Sequence, residues 1–193
     1  DTTAALKLAP NTVKYMEKQA KCFSSLGRKS DAERTYTAIL AIDGTNAAAL
    51  RETEELRQVE QMKKSAMSAM EGKHYSTAVS FLDRALALTP GDDSLKLVQA
   101  EAYLAMDKPG DAERICANIL RKNKQHTEAL YVRGVVKYNL GETDVALQHF
   151  KMALGGDPDH TRSRVKLKLV KLLVAKKKAG TDALQARRYD EAV

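Results

Sequence analysis

Residues 75–90 read Tyr75-Ser-Thr-Ala-Val-Ser-Phe-Leu-Asp-Arg-Ala-Leu-Ala-Leu-Thr-Pro90, and this stretch decides the fold. Ala78, Leu82 and Ala85 fall on one helical face, and Thr89-Pro90 ends the run. The same setting returns downstream: Gly110-Asp-Ala112 and Thr143-Asp-Val-Ala146 each precede an apolar stripe. Ala78, Ala112 and Ala146 are spaced by 34 residues, and Pro158 follows Pro90 by twice that interval. A fixed period of this size is the mark of a repeat architecture.

Outward from this core the period persists with two insertions. Ala32 precedes Ala78 by 46 residues and Ala192 follows Ala146 by 46, so each outer gap is lengthened by 12. The tetrapeptide Asp-Ala-Glu-Arg at 31–34 and 111–114 fits the same frame. The repeat units are then 13–46, 59–92, 93–126, 127–160 and 173–193, the last one incomplete. Asp1 to Pro10 resembles the end of a further unit, because Ala5-Leu-Lys-Leu-Ala-Pro10 parallels Ala85 to Pro90. Each unit predicts two helices, with turns at Leu26-Gly27, Glu71-Gly72 and Leu140-Gly141 and ends at Asp43-Gly44, Thr89-Pro90 and Asp157-Pro158.

Small residues recur where paired helices must approach. Ala20, Ala66, Ala100, Gly134 and Gly180 hold position 8 of their units, and Ala32, Ala78, Ala112, Ala146 and Ala192 hold position 20. Position 27 is Ala85 or Ala153 in two units and Ile39 or Ile119 in two others. Tyr36, Leu82, Cys116 and Phe150 at position 24 supply the bulk that fills the space beside them.

This pattern resembles the tetratricopeptide repeat (TPR) family, whose 34-residue helix–turn–helix carries small residues at positions 8, 20 and 27 and Pro at 32. The resemblance covers essentially the whole chain. It implies an all-α solenoid of helical hairpins that binds peptides on its concave surface. The departures are the missing Trp at position 4 and the polar Lys96 and Lys176 there.

The insertions predict long helices. Ala47 to Gln58 has no Gly or Pro and runs into Val59 to Met70, giving one helix of roughly 24 residues, about 36 Å long. From Thr161 no breaker occurs until Gly180, and Val165, Leu169, Leu172 and Leu173 fall on one face, expected to be buried. A repeat stack ends in a helix covering its last apolar face, so each insertion reads as a capping helix fused to the next stack. The expected division is 1–57 (end of a first TPR cluster plus cap), 58–166 (a central three-repeat cluster) and 167–193 (the rest of a cap and the start of a third cluster).

Composition supports helix: the chain has only 10 Gly and 4 Pro. Its net charge of +7 has one address, because Thr161 to Lys178 holds eight basic residues and no acid. The rest of the chain sums to −1. With few aromatics and a stripe expected to be buried, that segment argues against nucleic-acid binding. No apolar run is long enough for a transmembrane helix, and no membrane partner is expected. Cys22 and Cys116 form neither a metal spacing nor a disulfide framework, which fits a reducing compartment. The four histidines are expected in turns or on outer helical positions. No catalytic, metal or cofactor motif is present, and the expectation is a non-enzyme.

Several TPR co-chaperones share a carboxylate clamp, and the resemblance implies where to look for one. The family places Lys and Asn at positions 5 and 9 of a first repeat, Asn at 6 of a second, and Lys and Arg at 2 and 6 of a third. These groups hold a Glu-Glu-Val-Asp chain end of the heat-shock protein 70 and 90 chaperones through charge-assisted hydrogen bonds. In the central cluster only Lys63 matches; Met67, Val98, Glu128 and Val132 occupy the other positions. Lys63, Met67, Val98 and Val132 therefore predict a more apolar groove, suited to unfolded client polypeptides. The flanks differ: Lys14 and Lys18 hold positions 2 and 6 of their unit, with Lys where Arg is usual. Lys177 holds position 5 of the last unit, with Thr181 where Asn is usual. Each reads as half a clamp whose remainder lies beyond the chain.

A clamp-like end, a clampless middle and a clamp-like start, joined by fused caps, resemble the multi-TPR J-domain co-chaperones. Tyr131-Val-Arg-Gly134 and Ala20-Lys-Cys-Phe-Ser-Ser-Leu-Gly27 resemble that group too. The resemblance implies a cytoplasmic co-chaperone scaffold that binds the acidic tails of the heat-shock protein 70 and 90 chaperones and supports protein folding.

Overall fold

A computed structural model describes residues 10–186, all of whose regular structure is helical. Residues 1–9 and Ala192, which the repeat frame also covers, lie outside the described residues. The helices are α1 (Pro10–Ser25), α2 (Lys29–Ile42), α3 (Ala47–Glu71), α4 (Tyr75–Leu88), α5 (Asp93–Ala105), α6 (Pro109–Lys122), α7 (Thr127–Asn139), α8 (Thr143–Gly156) and α9 (Thr161–Gln185). Among the described residues, six of the eight breaks between helices fall at the turns that the sequence marks, and those at 106–108 and 123–126 carry no such mark. Proximity divides the chain into two compact units, Asp1–Met106 and Asp107–Val193.

Within the first unit, consecutive helices pack as neighbours from α1 to α5 around two separate cores. The first gathers Ala20 from α1, Ala32, Tyr36 and Ile39 from α2, and Ala49 and Leu56 from α3. The second gathers Val59 and Ala66 from α3, Leu82 and Ala85 from α4, and Leu95 from α5. The 25-residue α3 therefore serves both cores, its first half one and its second half the other. Met62 packs against the second core, not on an open surface. Tyr36 Oη lies 3.5 Å from the buried Glu52 carboxylate; burial first, and that negative charge next, hold the phenol well above its ordinary range.

In the second unit α6, α7, α8 and α9 are likewise packed in sequence. Ala112, Cys116, Ile119, Val132, Val136, Ala146, Phe150, Ala153 and Val170 are buried there. Gly134 packs directly against the Phe150 ring, so the small residue at position 8 and the large one at position 24 meet as expected. Polar departures are accommodated locally: Lys96 turns its ammonium to Asp93 at 3.1 Å while its stem is half-buried.

Both long helices begin in the same way. Asn46 accepts from the Ala49 N–H at 2.9 Å, and His160 Nδ1 accepts from the Ser163 N–H at 3.3 Å. Such caps contribute about 1 kcal/mol each. His160 is held further by Nε2, 2.9 Å from Glu128 on α7, and by an edge contact with Tyr131. Helix α9 passes through Gly180 without breaking and ends at Gln185.

One expectation about α9 needs correction. Its buried residues are Ser163 and Val170 on one face and Ala183 near its end, whereas Val165, Leu169, Leu172 and Leu173 are exposed. The helix carries two apolar faces at helical spacing, and α8 takes the one around Val170.

Candidate functional site

Lys14 and Lys18 stand one helical turn apart on α1, both exposed, with Tyr15 and Glu17 beside them around a shallow cavity of about 360 Å³. Among the described residues neither lysine forms an ion pair. Glu17 is engaged elsewhere, accepting from Asn46 Nδ2 at 3.0 Å. The two ammonium groups are thus open to an anion approaching the α1 surface.

Lys177 and Thr181 share a second cavity of about 280 Å³, lined also by Leu173, Val174, Lys178 and Asp182 of α9 and by Thr143 of α8. The Thr181 hydroxyl donates to the Lys177 carbonyl at 2.9 Å. Its one proton is spent on the helix backbone, so it offers lone pairs and not the donor an Asn amide would present. Asp182 adds a carboxylate to the same cavity. Cationic recognition here falls to Lys177 and Lys178.

The four groove residues do not behave alike. In the first unit Met67 on α3 is exposed, with 42% of its surface accessible, and Lys63 is half-buried on the same helix. Val98 on α5 is half-buried against the second core. In the second unit Val132 keeps only 1% of its surface accessible, so it is a core residue of α7 and has no area to offer a ligand. That corrects the expectation for Val132: its position is enclosed in the core and not open to a ligand.

A cavity that the repeat reading did not anticipate lies between α3 and α4. It holds about 420 Å³ and is lined by Arg57, Gln58, Gln61, Met62, Ser65, Phe81 and Arg84. Arg57, Gln58, Gln61, Met62 and Ser65 follow helical spacing on α3, which is the signal that could have revealed it.

The histidine expectation also needs correction. His149 on α8 is half-buried, and its Nδ1 is enclosed without a hydrogen-bond partner. Burial, then the Arg133 and Lys137 cations, lowers its pKa. Lys137 Nζ sits 2.9 Å from Glu113, whose carboxyl is held below its ordinary range chiefly by that hydrogen bond. Arg133 approaches the same carboxylate at 3.6 Å. This cluster joins α6, α7 and α8 electrostatically. Among the described residues no three His, Cys, Asp or Glu side chains converge as metal ligands, and no helix is long and apolar enough to cross a membrane.

The tetratricopeptide repeat family is matched over residues 69–134. The chain is 30% identical over 189 residues to human DnaJ homolog subfamily C member 7, covering 98% of this chain and 38% of that protein. It thus spans about four-tenths of the length of the curated relatives it matches. Among solved structures, the P58(IPK) TPR domain superposes with a TM-score of 0.64 at 22% identity, over 100% of this chain and 54% of that one. The second TPR domain of human RPAP3, in complex with the HSP70 peptide SGPTIEEVD, superposes with a TM-score of 0.52 at 23% identity, over 61% of this chain and 98% of that one. The 34-residue period, the paired helices and this homology together make the chain a tetratricopeptide-repeat solenoid, homologous over nearly its whole length to DnaJ homolog subfamily C member 7.

Proposed function

We propose that the chain is the non-catalytic TPR scaffold of a cytoplasmic co-chaperone. It binds the acidic C-terminal tails of heat-shock protein 70 and 90 chaperones and so supports protein folding. The observation that carries this reading is the open lysine pair Lys14 and Lys18 on α1, with Lys177 beside a cavity on α9. A terminal carboxylate plus flanking Glu side chains is the ligand such isolated ammonium groups hold best. The RPAP3 domain described as bound to an HSP70 peptide ending in EEVD adds support by fold likeness. In this reading the chain divides into clusters at 1–57, 58–166 and 167–193, with α3 and α9 as the fused caps.

The test is calorimetric titration with an acetylated Glu-Glu-Val-Asp peptide. Lys14→Ala and Lys177→Ala are each expected to weaken binding about tenfold, which corresponds to ~1.4 kcal/mol. Absence of binding, or affinity indifferent to both substitutions, refutes the reading. Thr181→Asn should tighten binding, since it supplies the missing amide donor. A second reading, capture of unfolded clients, is favoured by the exposed Met67 on α3 in the first unit. Met67→Glu should abolish suppression of aggregation of a denatured client if that reading holds, and leave it unchanged if it does not.

A further inference from the structure

The two long helices provide an internal control. Helices α3 and α9 each run 25 residues, start 114 residues apart and are capped alike at Asn46 and His160. Matching them position by position pairs Ala49 with Ser163 and Leu56 with Val170, all four buried. The pairing places Arg51, Glu55 and Gln58 of α3 opposite Val165, Leu169 and Leu172 of α9. On α3 these positions are polar and accessible: Arg51 reaches Glu55 at 3.6 Å, and Gln58 reaches Glu54 at 3.4 Å. On α9 the same positions are apolar, yet 59%, 47% and 57% of their surfaces are accessible. The repeat fold therefore has no need of apolar side chains there. Leu173 corresponds to Val59, a core position of the repeat, and is left out of this seam.

The spacing and surroundings of the seam say what fits it. Val165, Leu169 and Leu172 follow one another by four and three residues, the interval at which one helix presents a ridge to another. The seam runs about 10 Å along the axis and is stopped by Lys176, which falls on the same line one turn further on. That length accommodates about two turns of a partner helix, whereas a bilayer needs a longer and wider apolar face. Lys168 and Lys171 flank one side and Lys166 the other, and the segment from Thr161 to Lys178 contains no acid. Among the described residues Lys168 and Lys171 form no ion pair. A second copy of the chain would set like charges against like, which excludes self-association through this face.

We propose that the α9 seam of Val165, Leu169 and Leu172 docks a short amphipathic helix of a protein partner, one with large apolar residues on one face and Glu or Asp on both edges. The surface is distinct from the lysine pair on α1 and does not depend on the tail-binding reading; Lys177 belongs to the cavity with Thr143 and Thr181 and is not one of the seam residues.

The probe is a fluorescein-labelled synthetic helix with Leu at first, fifth and eighth positions and Glu at the flanking ones, titrated with the full 193-residue chain and followed by anisotropy. Binding is expected to fall at least tenfold in Leu169→Asp and in the Lys168→Glu, Lys171→Glu double variant. It should be unchanged in Leu140→Asp, which alters an exposed leucine elsewhere. The altered side chains are exposed, so folding is preserved; circular dichroism verifies this, and Leu172→Ser provides a second readout of the seam. A peptide with Lys in place of Glu should not bind. The proposal is overturned if the acidic helix fails to bind at about millimolar chain, if Leu169→Asp leaves its affinity intact, or if the Lys peptide binds equally well. It is also overturned if vesicles of mixed phosphatidylcholine and phosphatidylserine, and not the acidic helix, are what Leu169→Asp releases.

Discussion

Gly134→Ala adds a single methyl group to α7 and tests the packing rule on which the repeat rests. The new Cβ would lie 2.5, 2.8 and 3.0 Å from Phe150 Cε1, Cδ1 and Cζ. Carbon atoms in contact prefer about 3.5–4.0 Å, so each approach is too close by roughly 0.5–1.5 Å. The ring has nowhere simple to go, since Phe150 is 0% exposed and its centroid is 6.0 Å from that of Tyr131. Tyr131 in turn abuts the His160 ring at 5.6 Å. Overpacking of this kind costs about 1–3 kcal/mol. Replacing Gly by Ala inside a helix returns about 1 kcal/mol. With the ring enclosed the upper part of that range, about 2–3 kcal/mol, applies, so the expected net loss is about 1–2 kcal/mol, or a fall in Tm of about 2–8 °C for a chain of this size. Phe150→Leu shortens the obstructing ring and alone should cost about 1–2 kcal/mol. The double variant should then be no less stable than Phe150→Leu by itself, a coupling of about 1–2 kcal/mol. Urea and thermal unfolding followed at 222 nm measure all four corners of the cycle. A neutral or stabilising Gly134→Ala, or strictly additive substitutions, would show that the close approach of α7 to α8 is not what position 8 controls.

Acid should destabilise the chain through His149. Its pKa in the folded state is lowered from 6.5, so the unfolded chain binds the proton more readily. The stabilising neutral form is fully present above the unfolded value and is lost as pH falls below it. His149→Phe should flatten the dependence of the urea midpoint on pH between about 7.5 and about 5.5, and an unchanged slope would contradict the assignment. At the start of α9, His160→Ala removes both the cap on Ser163 N–H and the bond to Glu128, and should lower stability by about 1–2 kcal/mol. His160→Asn keeps the cap, as Asn46 does on α3, so it should cost less; equal losses in a chemical denaturation series would mean that capping is not what His160 supplies.

How much of this was legible depends on what a period can specify. Ala78, Ala112 and Ala146 locate every hairpin between them, because a repeat must place equivalent residues in equivalent contacts. The continuous helix from Ala47 followed from the absence of any breaker, and it ends at Glu71 within one residue of expectation. Faces were harder. On α9 both Val165-Leu169-Leu172 and Leu167-Val170-Val174 satisfy helical spacing, and periodicity cannot choose between two apolar stripes on one cylinder. Alignment with Leu56 of α3 does choose, since Val170 is its equivalent. Val132 was read from a ligand-binding position of the repeat, yet its burial depends on how closely α7 is enclosed by its neighbours. His149 reads from the sequence as an outer helical position, because the influence of Arg133 and Lys137 on it arises only once α7 and α8 pair.

The long α3 has one more consequence, and it is angular. Leu56 faces the first core and Val59 the second, three residues later on the same rigid helix. At about 100° per residue, the number of residues between two such contacts sets the rotation of one bundle about the helix axis relative to the next. One residue more or fewer within the insertion would turn the second core by about 100° and shift it by about 1.5 Å. Insertion length thus works as a phase setting: it tolerates many substitutions but no change in count. The two insertions share neither residues nor charge, yet both are twelve residues long.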